Sequence, residues 1–134
     1  MTTINNKFVI FARENLFNRK DRSTWKKGVT EYAHKILDNI EERIQYEGKL
    51  PDNKTQFRLW MLNGATDWKE ASYGGCYEVY DRDIAQRLCT PSELKRNRNG
   101  ELNPNSRETW LDVQARALFQ ASVILMRLWN EYNR

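Results

Sequence analysis

Few side chains in this sequence have the types and spacing that chemistry requires. His34 is the only histidine, and no second histidine, Cys-x-x-Cys pair or acidic loop of calcium-binding spacing accompanies it. It falls one position beyond Ala33, at the edge of an apolar helix stripe. We therefore interpret His34 as a structural residue and predict no metal ion and no cofactor.

The two cysteines, Cys76 and Cys89, are predicted to be reduced thiols, since two cysteines without a recognisable export signal favour a reducing compartment. Cys76 follows Gly74-Gly75 in a predicted turn, where a thiol is accessible, but a thiolate needs a nearby base or cation. Cys89 lies beside an apolar residue and is interpreted as a small buried side chain. Whether Cys76 is reactive stays open.

Asp81 and Asp83 are the best-spaced pair of carboxylates. Acid–base catalysis needs environments that separate the two carboxyl pKa values, and the residues around this pair indicate none. A helix cap explains the pair as well. Residues 73–76, Tyr-Gly-Gly-Cys, lack the spacing of a phosphate-binding glycine loop. The sequence therefore predicts no catalytic residues and a protein that is not an enzyme.

Aromatic and basic residues are interleaved between residues 60 and 98. Guanidinium groups near aromatic rings occur in protein-binding hot spots and in sites that stack nucleic-acid bases. The same residues also suit a small core with a basic rim, and that interpretation stays open. Between the two binding interpretations we favour protein. The candidate binding residues are Trp68, Tyr73, Tyr77, Arg82, Arg87, Lys95, Arg96 and Arg98.

Two long amphipathic helices are predicted to position these side chains. In the first, over Thr24–Glu47, apolar residues recur at steps of three and four. Gly48 and then Pro51 end this pattern. The second covers residues 107–132 and has a wide apolar face, which predicts a central core helix.

Shorter helical segments are predicted at residues 7–17, 55–62, 66–70 and 81–88, and a last short one begins at 90–93 and is broken at 97–100. A Thr-Pro-Ser-Glu capping box marks the last of them. Residues 76–80 alternate like a strand, but the sequence offers that strand no partner. The predicted fold is therefore all-α, or mainly α with a small extended patch. It is a compact bundle of two long and three to four short helices, in a single domain over residues 1–134.

The composition fits a folded domain. A length of 134 residues is typical of one domain, and the aromatic content of 12% is higher than that of disordered chains. The net charge of +4 comes mainly from two basic runs, residues 19–27 and 95–98, which we interpret first as solvated loops. The N-terminus lacks the pattern of a signal peptide. The most apolar segment is shorter than the ~20 residues of a membrane span. We expect a cytoplasmic protein with no membrane partner.

Several motifs in the second half resemble a known group of proteins. They are DWKEASYGGC at residues 67–76, YDRDIA at 80–85, CTPSELK at 89–95 and WLDVQARAL at 110–118. This region is similar to small accessory proteins encoded by phages and conjugative elements of Gram-positive bacteria. The resemblance covers residues 55–122 and brings no functional residues with it.

The resemblance implies a context in which small, non-enzymatic proteins disarm host defences, as anti-CRISPR proteins do. Their usual means is stoichiometric binding to a nuclease effector or its guide complex. We therefore expect a counter-defence inhibitor in a bacterial host, with a host defence protein or ribonucleoprotein effector as its partner. The basic charge of this chain departs from inhibitors that imitate DNA with acidic surfaces.

Two other functions stay open at the level of sequence. One is direct nucleic-acid binding through the first basic run, with Arg19, Lys20, Arg22, Lys26 and Lys27 as contact residues. The other is sequestration of a nucleotide signal between tryptophan and arginine side chains. The chain is expected to be a monomer or a homodimer, the latter if part of the wide apolar face of the C-terminal helix forms a dimer seam.

Overall fold

The computed structural model describes residues 6–17, 23–75, 79–89 and 107–134. Within these ranges the chain is helical and has no strand. The helices in chain order are α1 (Lys7–Phe17), α2 (Thr24–Glu47), α3 (Lys54–Met61), α4 (Trp68–Glu70), α5 (Arg82–Leu88) and α6 (Arg107–Tyr132). A π-helical turn, Ala71–Gly75, follows α4 directly.

The all-α prediction is thus confirmed for the described residues. The predicted helix at 90–93 lies outside them, as do residues 76–78 of the predicted extended patch. The rest of that patch, Val79 and Tyr80, is described and forms no strand.

Local signals set the two ends of α2. The Ser23 hydroxyl accepts a hydrogen bond from the Lys26 N–H at 3.0 Å and so caps the first turn. At the other end Gly48 has a φ of 86°, and its N–H donates to the Ile44 carbonyl at 2.8 Å. Because glycine adopts this left-handed conformation without steric cost, the helix ends where the sequence predicts.

The long helix α6 lies at the centre of the fold. It packs most extensively on α2 and also contacts α1, α3, α4 and α5. Leu118, Ala121 and Leu125 on α6 are fully buried in the same core as Ile36 and Ile40 on α2. Complete burial of each leucine or isoleucine stabilises the fold by about 1.5–3 kcal/mol, so this pairing contributes substantially to stability.

A glycine allows α5 to approach α2 closely. A Cβ atom at Gly28 would lie 2.8 Å from Leu88 Cδ1 and 2.9 Å from Leu88 Cγ. Real Cβ atoms are not found that close to other carbon atoms, and Leu88 is itself buried. The contact between α2 and α5 therefore depends on the missing side chain at position 28.

Side-chain caps begin the short helices. The Asn53 amide oxygen accepts from the N–H groups of Thr55 and Gln56 at the start of α3. Asp67 and Asp81 accept in the same way from the first turns of α4 and α5. The cap interpretation of Asp81 is therefore confirmed. No helix in the described parts of the chain is long and apolar enough to span a membrane.

Candidate protein-interaction surface

His34 lies in a charged cluster between α1 and α2. An Arg13 guanidinium nitrogen lies 3.0 Å from His34 Nδ1, and the same guanidinium donates to the carboxylates of Asp38 and Glu41. Arginine has no acceptor, so Nδ1 must be the unprotonated ring nitrogen. Burial and the Arg13 charge both lower the pKa of His34. The imidazole therefore serves as a neutral acceptor in a structural cluster.

The described cysteine is also engaged internally. Cys89 is a free, buried thiol whose Sγ donates to the Ala85 carbonyl at 3.3 Å. Burial raises the pKa of this thiol, which disfavours the thiolate. Cys76 lies outside the described residues. Across the described ranges, no three His, Cys, Asp or Glu side chains are grouped in a way that could hold a metal ion.

A buried polar network connects α2, α5 and α6. Gln114 on α6 accepts through Oε1 from the Tyr32 hydroxyl at 2.9 Å and from the Asp81 N–H at 2.8 Å. The Tyr32 hydroxyl is also 2.8 Å from the Asp81 carbonyl. Burial raises the pKa of Tyr32, so the hydroxyl stays protonated. We call Tyr32, Asp81 and Gln114 the polar seam.

The carboxylate of Asp81 is held by other groups. Burial alone would raise its pKa, but the Ile84 N–H and the Lys35 ammonium, 3.2 Å away, keep the pKa below its ordinary value. The charge and the hydrogen-bond acceptors of Asp81 are therefore engaged by other groups of the fold.

The predicted binding residues lie in different environments. Trp68 is only 7% exposed, and its indole N–H donates to the Ser122 hydroxyl at 3.0 Å. Tyr73 is 39% exposed, and its hydroxyl lies 3.1 Å from Asp112 Oδ1. Tyr77, Lys95, Arg96 and Arg98 lie outside the described residues.

The two predicted arginines that the structure describes are both exposed. The Arg87 guanidinium makes two hydrogen bonds to the Glu31 carboxylate, at 2.6 and 3.1 Å. The Arg82 guanidinium lies 5.6 Å from the centre of the Trp110 ring, within range of a cation–π contact.

The structure does not bring Tyr73 and Arg82 together into one patch. Tyr73 contacts Asp112, whereas Arg82 contacts Trp110. Trp110 and Asp112 are two positions apart on α6, and residues with this spacing point to opposite sides of an α-helix. Tyr73 and Arg82 therefore flank the first turns of α6 from opposite sides.

Sequence reasoning missed a surface between α3 and α6, which we call the α3–α6 groove. It has a volume of about 530 Å³. Phe119 and Val123 of α6 remain 54% and 40% exposed there, and the half-buried Met126 continues the same face. Leu62 and Trp68 line the groove from the side of α3 and α4. This is an apolar helix face that the fold leaves partly uncovered.

The edges of the groove are basic. Lys54 and Arg58 come from α3 and Arg127 from α6, and all three are exposed. Among the described residues, no carboxylate lies within ion-pair distance of these three cations. The acidic residue at the groove, Asp67, is occupied as the cap of α4. The groove thus combines an apolar floor with positive charge that no described carboxylate pairs with.

A weak signal for this groove exists in the sequence. Phe119 and Val123 are apolar residues four positions apart that fall outside the main apolar stripe of α6. Asp112, the partner of Tyr73, lies seven positions before Phe119 and hence on the same face, about 10 Å along the helix. Tyr73 therefore stands on the same side of α6 as the groove, nearer the start of the helix.

Comparison of the chain with protein-family models, with curated proteins and with solved structures gives no match. The resemblance to accessory proteins of phages and conjugative elements stays a prediction.

Proposed function

We propose that this protein is a non-enzymatic inhibitor that binds a host defence nuclease complex stoichiometrically, with the α3–α6 groove as its contact surface. The observation that supports this proposal is the groove itself. Exposed Phe119 and Val123 lie between cations that have no ion-pair partner among the described residues. Partly exposed aromatic and aliphatic anchors rimmed by arginine are typical of protein-binding sites.

The state of the reactive side chains favours binding over catalysis. His34 accepts a hydrogen bond from Arg13, and Cys89 is buried with a raised pKa. Asp81 caps α5 and pairs with Lys35. Each of these groups is bound to other groups of the fold, whereas a catalytic group has to be available to contact a substrate.

The counter-defence setting comes from the sequence resemblance. A partner in that setting is a nuclease effector or its guide complex, and a basic protein would be attracted to the RNA of the guide complex or to an acidic face of the effector. The cations of the groove, with which no described carboxylate pairs, suit either kind of partner.

The proposal is tested by DNA cleavage with a panel of purified RNA-guided nuclease effectors and increasing amounts of this protein. For a susceptible effector, cleavage should fall linearly with added protein and reach its minimum at about one molar equivalent, as expected for tight stoichiometric binding. Phe119→Asp should weaken inhibition, because a carboxylate would be desolvated in the apolar floor. Undiminished cleavage with every effector at large molar excess contradicts the proposal.

Matched variants separate the groove from the residues that the sequence predicts. Leu59→Asp changes an apolar residue of α3 that is 53% exposed and lines a different depression, so it should leave inhibition unchanged. Tyr73→Ala with Arg82→Ala tests the sequence-predicted surface. If this double variant loses all inhibition and Phe119→Asp has no effect on it, the contact surface is not the groove.

A second candidate function, nucleic-acid binding, has its own supporting observation. Arg116 lies 5.4 Å from the centre of the Trp25 ring, and Lys26 and Lys27 are exposed beside it at the start of α2. The other predicted residues of this basic run, Arg19, Lys20 and Arg22, lie outside the described residues.

Nucleic-acid binding through this end of α2 predicts an affinity that falls steeply with salt, because phosphate contacts release counterions. Neutralising Lys27 and Arg116 together should weaken a gel shift of single-stranded RNA. A flat titration at low salt contradicts this second candidate.

A further inference from the structure

The shape and charge of the α3–α6 groove specify the kind of partner element that fits it. We infer that its occupant is an acidic, amphipathic α-helix of a partner protein, about three turns long. This inference deepens the proposed function, because it names the partner element for the same surface.

The length of the groove sets the length of the helix. Its α6 wall runs from Phe119 to Asn130, which is twelve residues and about 16 Å of helix from the first to the last. A partner helix of about eleven residues presents apolar side chains at i, i+3 or i+4 and i+7 over that distance. The groove volume of about 530 Å³ accommodates several such side chains.

The groove floor is preformed on one side and adaptable on the other. The Trp68–Ser122 hydrogen bond fixes α4 against α6, so this wall is in place before a partner arrives. Met126 provides an unbranched, polarisable side chain that adjusts to different apolar partners. Preformed walls lower the entropic cost of binding.

The charges select an acidic helix. Lys54 and Arg58 stand on the α3 side of the groove and Arg127 on the α6 side, so carboxylates on both flanks of an apolar stripe would meet a cation. Arginine pairs with carboxylate through two parallel hydrogen bonds, which adds orientation to attraction. A helix flanked by lysines would meet repulsion on both sides.

The same features disfavour two other occupants. A second copy of this chain docked through a two-fold axis would bring the cations of one groove edge against those of the other. A nucleic-acid strand could stack a base on Phe119, but its charged backbone would leave the aliphatic side chains of Val123 and Met126 without an apolar partner.

The test uses two fluorescein-labelled peptides of about sixteen residues, long enough to cover the groove. Both carry leucines at i, i+3, i+4 and i+7. One has glutamates on both flanks of that stripe and the other has lysines. Fluorescence anisotropy should show that the full chain binds the glutamate peptide more tightly, by about tenfold or more. Added salt should narrow the difference, since the pairs are near the surface.

Variants make the assignment specific to the groove. Phe119→Asp should weaken binding of the glutamate peptide by about tenfold. Arg58→Glu combined with Arg127→Glu should reverse the preference, so that the lysine peptide binds more tightly. Leu59→Asp should bind both peptides as the unchanged chain does. Circular dichroism on each variant establishes that the helices are intact.

Three results overturn the inference. The first is equal binding of both peptides, and the second is an unreversed preference in the charge-reversed variant. The third is a dimer by sedimentation that Phe119→Asp converts to a monomer, since the occupant is then a second copy. Selective peptide binding without inhibition of any nuclease contradicts the proposed function alone. Phe119-dependent inhibition without peptide selectivity contradicts the inference alone.

Discussion

The polar seam and the α3–α6 groove differ in whether their side chains are bound within the fold. In the seam, Tyr32, Asp81 and Gln114 bind each other through hydrogen bonds of 2.8–2.9 Å, although Gln114 Nε2 is buried with no partner among the described residues. In the groove, Phe119 is half-exposed and Arg127 has no ion-pair partner among the described residues. Groups that are satisfied inside the fold contribute to stability, whereas unsatisfied ones on the surface are available to a partner.

This contrast predicts two separable sets of variants. Changes in the seam and in the α2–α5 contact beside it should lower the free energy of unfolding and leave peptide affinity at the groove intact. Changes in the groove should do the reverse, because exposed side chains contribute little to stability.

The largest effect is expected for Gly28→Val, at the contact between α2 and α5. Valine has the better helix propensity, yet its side chain would overlap Leu88, and such overpacking costs about 1–3 kcal/mol. Urea denaturation measures the loss. Gln45→Val, which places a valine at an exposed position of the same helix, is the control for a valine in α2, and its lower helix propensity should cost less than about 0.7 kcal/mol. Unchanged stability of Gly28→Val means that α5 moves freely relative to α2.

A smaller effect is expected for Tyr32→Phe, which removes one hydroxyl from the seam. The single Tyr32 hydroxyl proton is donated to Gln114 Oε1 or to the Asp81 carbonyl, and the loss of one such hydrogen bond costs about 0.5–1.5 kcal/mol. Part of this cost is offset because Gln114 retains the Asp81 N–H. Thermal denaturation measures it against Tyr46→Phe, a tyrosine that is 82% exposed. Equal melting temperatures of the two variants would rule out a stabilising role for the Tyr32 hydroxyl.

The smallest effect concerns pH and the cluster around His34. Its pKa in the folded protein lies below the ordinary value, because of burial and Arg13. The unfolded chain therefore binds a proton more readily as pH falls below about 6.5, and stability should decrease from there down to the folded pKa. The slope in unfolding free energy against pH should be smaller in His34→Gln.

The same cluster offers a direct measurement. In Arg13→Met the lowering charge is absent while Asp38 still raises the pKa, so an NMR titration of the His34 ring should move to higher pH. A folded-state pKa of His34 above 6.5 in the unchanged chain contradicts this account.

The sequence was sufficient for features that depend on neighbouring residues. The stripe and caps of α2 lie within one continuous segment, and the observed helix has the predicted bounds Thr24–Glu47. The short helix α3 differs by one residue at each end, Lys54–Met61 instead of 55–62. Its cap, Asn53, binds the N–H groups of residues 55 and 56, so the helix begins one residue earlier.

The site depends on contacts between segments that are distant in the chain, and these contacts could not be predicted from the sequence. Trp68 is a typical binding residue by type, but α4 turns its ring against Ser122, fifty-four positions away. Phe119 is exposed because α3 and α4 pack beside it and leave a gap. Whether an apolar residue of α6 is covered depends on where those helices lie, which periodicity alone does not determine.

The glycine at position 28 also constrains how this sequence can change. A helix interior that carries glycine is less stable than one with alanine by about 1 kcal/mol, so the close contact with Leu88 compensates a local weakness. A larger side chain at position 28 then fits only if the side chain at position 88 is smaller. Relatives with the same spacing between α2 and α5 should vary these two residues as a pair, with a larger residue 28 opposite a smaller residue 88.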